Sequence, residues 1–255
     1  MPQQAPSVQL WSIRDAIAES LSGAIAKVAA AGFTQVEPYG HGDFSDGGFY
    51  DDLAAALKAN NLAAPTMHFQ VYGKDLEPFF GAAKKLGVKT IIDPMIDPEL
   101  WKTRESVVAL AHAVNEIAVK AAEAGFGFGY HNHAFEFETK IDGVSAYDIF
   151  VENLSDDVVL EVDTFWAEVG GVNAAELLKK LGDRVIAIHV KDGKLGLPFP
   201  EVVEFQLPAG EGDVPVANIL KAAPNAIPVV EFDKYNGGDI FPAITTSLKF
   251  IQDNR

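Results

Sequence analysis

Eight short apolar runs, each followed by a segment of helical periodicity, divide the chain almost from end to end. They begin at Val8, Thr34, Ala63, Val88, Phe126, Val158, Val185 and Ile227. Their length and β-branching are those of strands, and the intervening segments place apolar residues at helical spacing, as Val107, Leu110, Ala111, Val114, Ile117 and Ala118 do between 103 and 124. Further helices are expected over 76–86, 143–153, 173–181, 214–222 and 239–252, with earlier ones through Leu21–Ala29 and Leu53–Leu57. Strict strand–helix alternation specifies a parallel sheet covered by helices. Eight such units in 255 residues fit a closed (β/α)8 barrel better than an open sheet, and the chain is read as one α/β domain over 1–255 with residues 1–7 a short extension. A doubly wound sheet would carry a glycine-rich phosphate loop after its first strand, and Ser12-Ile-Arg-Asp-Ala16 is nothing like one.

In a barrel the active site sits at the C-terminal ends of the strands, so each strand's last residues become the candidates. Here they are Gln9 and Ser12, Glu37, His68, Asp93, His131 with His133, Asp163, His189 with Lys191, and Glu231 with Asp233. Residues two apart on a strand share a face, which lets His131 and His133, Glu161 and Asp163, His189 and Lys191, and Glu231 and Asp233 all turn into the barrel mouth. The last four strands together supply imidazoles and carboxylates able to bind a metal or move a proton. The chain has no cysteine, so any metal rests on His, Asp and Glu. A net charge of −16 repels polyphosphate backbones and anionic membranes and leaves neutral solutes untouched; nucleic acid is not an expected partner. The N-terminus lacks the features of a signal peptide and no apolar run approaches the ~18 residues of a membrane span, so the expected location is cytoplasmic. A homo-oligomer is left open.

The segments Val8–Asp15, Tyr130–Phe137, Val162–Trp166, His189–Asp192, Gly210–Asp213 and Val230–Asp233 resemble, in order and spacing, the xylose isomerase-like TIM-barrel family, in its sugar phosphate isomerase/epimerase branch. The resemblance covers nearly the whole chain. It implies one divalent cation, commonly manganese, held by groups at the ends of strands five to eight. In many members these are Glu, Asp, His and Glu; Asp163, His189 and Glu231 match the last three, and His131 stands where the first Glu often does. The expected ligands are therefore His131, Asp163, His189 and Glu231. Such a mixed shell suits manganese, zinc, cobalt or iron better than magnesium or calcium.

The expected chemistry is isomerisation or epimerisation of a ketose or keto-sugar in carbohydrate metabolism, through an enediolate. Glu231 serves as general base, His133 or His131 handles a proton on the opposite face, and Lys191 neutralises developing negative charge. Glu37, His68, Trp11 and Trp166 are the expected sugar contacts, and Glu161 is expected to be a buried carboxylate supporting the ligands. Lys191 has the alternative of pairing with Asp192 at the surface. His41 and His112 are assigned no role. His131 in place of a carboxylate base leaves a dehydratase or β-eliminating lyase on a keto-inositol or keto-glycoside as the alternative. An apurinic endonuclease-like activity conflicts with the acidic charge, and a non-catalytic sugar-binding barrel would not need the four ligands. The proline-rich segment from Gly193 to Asp213 is too long for a plain connection and is expected to be a mobile lid.

Overall fold

Parallel pairing runs through seven strands in the order Ser7–Val8, Ile227–Val230, Val185–Val190, Val158–Asp163, Gly127–His131, Thr90–Asp93 and Thr66–His68. The computed structural model describes residues 3–40 and 47–255; Met1, Pro2 and most of the expected glycine-rich loop from His41 lie outside them. The two edges of this sheet meet through the second apolar run. Glu37 N–H donates to Val8 O at 2.8 Å and Val36 N–H to Ala63 O at 2.9 Å, with parallel bridges Gln9–Glu37, Gln35–Ala63 and Tyr39–His68. The sheet is thereby closed into the expected (β/α)8 barrel. Pro38 has no N–H to give, which keeps this second strand to isolated bridges.

Local signals set most helix starts. Ser20 and Thr103 accept backbone N–H groups at the heads of the helices Leu21–Ala30 and Arg104–Glu123, the latter with a reciprocal Thr103–Ser106 box. The apolar stripe read over 103–124 is buried at Val107, Leu110, Ala111, Val114 and Ala118, whereas Ile117 is only partly covered. Among the described residues no helix is long and apolar enough to cross a membrane.

Three features depart from the sequence reading. The first strand ends at Val8, because the Gln9 side chain accepts the Trp11 N–H and turns Leu10–Ile13 into a 3-10 helix. Lys140–Ile141 and Val144–Ser145 form a hairpin across Asp142 and Gly143, both at positive φ, so the following helix starts at Ala146 and not at 143. The segment after Gly193 folds back, pairing Gln206–Leu207 antiparallel with Asp192–Gly193.

The glycines of the fifth strand allow close packing, as its apolar neighbours suggest. A Cβ on Gly129 would lie 2.7 Å from Val159 O and 2.8 Å from Ile92 Cδ1. Backbone on one side cannot yield. Gly129→Ala is therefore expected to lower unfolding stability by about 1–3 kcal/mol, the usual range for overpacking. Gly81→Ala, on an exposed helical site with nothing within 4 Å of the added carbon, should gain up to about 1 kcal/mol. Urea denaturation of both variants checks this, and equal effects would contradict the close approach.

Candidate active site

The strand ends build two tiers of polar side chains inside the mouth. In the lower tier Glu161 Oε1 lies 2.5 Å from His68 Nε2, 3.0 Å from His131 Nδ1 and 3.1 Å from His189 Nε2. Glu37 lies beside it: Oε1 accepts from Gln9 Nε2 at 2.9 Å and sits 2.8 Å from His189 Nε2, and Oε2 accepts from the Thr66 hydroxyl. In the upper tier Lys191 Nζ contacts Asp163 Oδ2 at 2.8 Å, Glu231 Oε2 at 2.6 Å and both oxygens of Asp233 at 2.9–3.0 Å.

His131 and His189 join the tiers. With Nδ1 on Glu161, His131 turns Nε2 toward Asp163 Oδ2, 3.7 Å away; with Nε2 on Glu37 and Glu161, His189 turns Nδ1 toward Glu231 Oε2 at 2.6 Å and Asp163 Oδ2 at 3.9 Å. A carboxylate behind each imidazole fixes its ring for a ligand in front, a common second-sphere arrangement in metal sites. Asp163 is fixed likewise: Oδ1 caps the helix Thr164–Val169 by accepting the Trp166 N–H, and its backbone exchanges hydrogen bonds with the Asn132 side chain. That leaves Oδ2 for the site.

Burial dominates the titration of these groups, and neighbours decide its direction. Burial would raise Glu161, yet the charges of His189 and His68 hold it well below the usual carboxylate range. Glu37 is raised by burial and by Glu161. His68 and His189 are drawn upward despite burial, by Glu37 and Glu161 and by Glu161 and Glu231 respectively. Burial with the charge of His189 pushes His131 well down, and burial with Lys191 brings His133 to about 4, so both are neutral. Lys191 and His189 hold Glu231 well below its ordinary value against burial, and Asp163 rises to about 6 through burial. Glu37, Glu161, Asp163, Glu231 and Asp233 thus face one ammonium and two imidazoles drawn toward protonation. Carboxylates thus outnumber the cationic groups packed among them, in a place where an unpaired charge costs several kcal/mol.

That excess, with donor atoms of His68, His131, Glu161 and His189, and of Asp163, His189 and Glu231, grouped within 4.8 Å, suits a divalent ion. The expected four ligands fall across the two groups and meet at His189. Glu161 Oε2 is buried without a hydrogen-bond partner, as are His133 Nδ1 and Trp166 Nε1.

A cavity of about 480 Å³ opens above, walled by Trp11, His68, His131, His133, Lys191 and Glu231 among others. Asp163 and His189 lie behind its wall, fully buried. Two expected sugar contacts are displaced. Glu37 is wholly buried in the lower tier, where Gln9, Thr66 and His189 engage it, and is not on the cavity wall. Trp166 lies behind Lys191, whose Nζ is 5.8 Å from its ring, and not on the cavity wall. Lys191 does not pair with Asp192, which turns away into the following loop. Sequence reasoning passed over Asn132, Glu136 and Gln206. Gln206 accepts the Asp233 N–H and donates to Asp233 Oδ2, both at 2.7 Å, steadying the carboxylate that holds Lys191. Only Glu136 left a trace in the sequence, as an acid inside the apolar run Ala134-Phe-Glu-Phe137.

No family model matches the chain, and no curated protein matches it in sequence. Solved structures do. A sugar phosphate isomerase/epimerase from Parabacteroides distasonis superposes with a TM-score of 0.79 at 20% identity, covering 99% of this chain and 94% of that one. The probable 3-DHS dehydratase AsbF of Bacillus anthracis gives 0.77 at 12%, covering 99% and 100%. The IolI protein, in a structure with a bound zinc atom, gives 0.70 at 18%, covering 98% and 97%. The chain has the fold shared by these proteins, that of the xylose isomerase-like TIM barrels.

Glu136 carries a consequence for stability. It is wholly buried, accepts the Tyr130 hydroxyl at 2.8 Å and the His133 N–H at 2.9 Å, and is pushed up to about 8 by burial, which outweighs those bonds. The folded carboxyl keeps its proton above the pH at which the unfolded one loses it. Its contribution to stability is therefore complete below about 4.5 and is lost as pH rises through about 8. Glu136→Gln keeps an oxygen acceptor and removes this titration. Urea midpoints should show the variant gaining on the parent between pH 5 and pH 8.5; a constant difference would mean that the folded carboxyl is already ionised at the lower pH.

Proposed function

We propose that the chain is a divalent-metal-dependent carbohydrate isomerase or epimerase that acts on a ketose or keto-sugar through an enediolate. The observation that carries this is the cluster of buried carboxylates and imidazoles at the floor of a sugar-sized cavity, where His131 Nε2 turns toward Asp163 and His189 Nδ1 toward Glu231. His131, Asp163, His189 and Glu231 would hold the ion, with Glu37 and Glu161 orienting the two imidazoles. When bound, the ion polarises the substrate's carbonyl and acidifies the neighbouring C–H.

The protein's own groups supply the rest. Glu231, ionised and on the cavity wall, takes the α-proton as the C–H electrons move toward the carbonyl oxygen. Lys191, a buried ammonium beside Glu231, neutralises the charge that develops there. His133 is neutral and presents an unpartnered Nδ1, suited to a substrate hydroxyl and to relaying its proton. Trp11 and His68 contact the sugar at the wall. Return of the proton to the same carbon from the other face gives the epimer, and return to the adjacent carbon gives the isomer.

A second reading has its own observation. Of the two carboxylates on the cavity wall, Asp233 has both oxygens engaged by Lys191 and Gln206, whereas the contacts of Lys191 and His189 to Glu231 fall on Oε2, which makes Glu231 the more available carboxylate base. One base and one ammonium suffice for a dehydratase or β-eliminating lyase on a keto-inositol or keto-glycoside: Glu231 takes the α-proton and Lys191 protonates the departing oxygen. A dehydratase among the similar structures accords with this.

Both readings share the first step, and Glu231→Gln tests it. The amide retains an oxygen donor, so manganese content by elemental analysis should change little, whereas Asp163→Ala should lose the metal. Exchange of the α-proton of ketoses and keto-glycosides with deuterated water should fall by about 10²-fold or more in Glu231→Gln. Exchange at the parental rate would remove Glu231 as the base.

A further inference from the structure

The cavity wall changes character across the barrel. Strands five to eight and the residues just after them contribute His131, His133, Lys191, Glu231 and Asp233, every one of them titratable. Strands one to four and the segments that follow them contribute Trp11, Tyr39, Phe69, Phe79, Pro94 and Met95. Of the polar groups on this second half, Gln9 donates to Glu37 and His68 rests on Glu161 in the lower tier, while Gln70 and Lys74 are exposed, with Lys74 Nζ 5.9 Å from the Phe79 ring. The apolar groups are firmly braced. The Arg14 guanidinium lies over the Trp11 ring at 4.5 Å and Tyr39 meets that ring edge-on at 5.2 Å, yet Trp11 stays 41% exposed. Phe69 packs on Phe79 with centroids 5.1 Å apart, and Gly40 makes room for it, since a Cβ there would stand 3.2 Å from Phe69 Cδ1. Pro94 and Met95 are half-buried, and Asp93 fixes their turn by accepting the Met95 N–H at 3.2 Å.

We propose that this apolar half is a subsite for an aromatic aglycone, so that the substrate is an aryl keto-glycoside and not a free ketose. The proposal rests on the carbohydrate reading above and narrows its substrate class. A ketose is hydroxylated along its whole length, and laying those hydroxyls against Pro94, Met95 and the aromatic rings would take them from water without partners. An arene has no such cost there, and it gains edge or offset contacts with the rings and with the Met95 thioether. At about 480 Å³ the cavity lies in the range of roughly 300–1,000 Å³ that buries drug-sized ligands, with room for a sugar ring and a substituent together. The long loop after strand seven does not fill this half: Phe199 at its tip lies against Trp166, which follows strand six. A sugar ring beside Glu231 and Lys191 therefore carries its substituent across the mouth onto the aromatic wall, and binding there helps to hold the reacting carbon in place.

Methionine methyl resonances test this in the full-length chain. Of its three methionines, Met95 is on the cavity wall and Met67 is fully buried and serves as a reference, so carbon-13 labelling gives a local probe whose signal Met95→Leu identifies. Phenyl β-D-glucopyranoside and methyl β-D-glucopyranoside, neither of which carries a keto group to react, are titrated into the manganese-loaded protein. The phenyl glycoside should move the Met95 signal saturably and bind at least about tenfold more tightly than the methyl glycoside. Absence of that shift, or equal affinities, overturns the proposal. Met95→Asp puts a charge on the apolar wall and should remove the phenyl preference; a folded variant that keeps it also overturns the proposal, and if the variant does not fold the parent titration decides alone. Exchange of the α-proton of phenyl 3-keto-β-D-glucopyranoside with deuterated water is read separately. Absence of exchange with the Met95 shift intact would count against the enediolate reading and leave the aryl subsite standing.

Discussion

A single buried carboxylate oxygen, Glu161 Oε1, lies within hydrogen-bonding reach of three imidazoles, and the rest of the site is arranged around it. Taking such a charge out of water costs several kcal/mol unless hydrogen bonds replace its solvation. The barrel provides them by alternation. Odd strands end in groups that can donate: Gln9 on the first, His68 on the third, His131 on the fifth, His189 and Lys191 on the seventh. Even strands end in carboxylates: Glu37, Asp93, Glu161 with Asp163, and Glu231 with Asp233. Closure makes every odd strand a neighbour of two even ones, and on the seventh His189 meets Glu161 on one side and Glu231 on the other, while Asp93 on the fourth accepts the backbone N–H groups of Val71, Tyr72 and Met95 instead. Layers contributed by alternate strands are a property of this architecture, and here the layering is used for charge.

The same alternation explains what could be read from the sequence and what could not. A strand's side chains have period two, so the strand-end residues and their inward-facing partners follow from the runs themselves. Glu161, two residues below Asp163, lands beneath it as its spacing implies. Depth is harder. Glu37 is as close to its strand's end as Glu231, yet the bridge to Gln9 sets it in the lower tier, because the tilt of barrel strands offsets neighbouring ends. The first strand's early end was hidden because it depends on the Gln9 side chain turning back on Trp11 N–H. The Asp142–Gly143 turn was present in the sequence as a hairpin signal but was masked by the apolar residues of the helix behind it.

The segment from Gly193 to Asp213 shows the other limit. Its length and prolines mark it as unusual, but length does not say what holds it. Asp192 ties its last residues to the seventh strand, and Gln206, buried in its middle, grips the end of the eighth. Only the arch around Phe199, which is 75% exposed, extends freely toward Trp166, with ring centroids 6.4 Å apart. Those attachments pair residues 18 to 27 positions apart, through a side chain meeting backbone, and leave no periodic trace. A loop anchored in this way can shape the mouth while only its tip approaches a substrate.

Lys191 then determines how the floor of the cavity works. Its ammonium rests on Asp163 Oδ2 and Glu231 Oε2, the same oxygens that the proposed ion would use, while Asp233 holds it from the far side. Each of those two carboxylates has two oxygens, but Asp163 Oδ1 is committed to the Trp166 N–H. With an ion held there, the ammonium would compete with it for Asp163 and could be received by Asp233, which Gln206 steadies. Their mutual repulsion would weaken the ion's hold, and would also leave a positive charge free to meet negative charge arising on a substrate. The imidazoles work in the same direction, since His189 must give up any proton before its nitrogen can bind a cation. Replacing the fifth strand's usual Glu by His131 removes one negative charge from this balance. On the proposed reading, with Lys191 already present, an additional carboxylate would bind the ion more tightly, whereas a neutral imidazole would preserve positive character able to stabilise an enediolate.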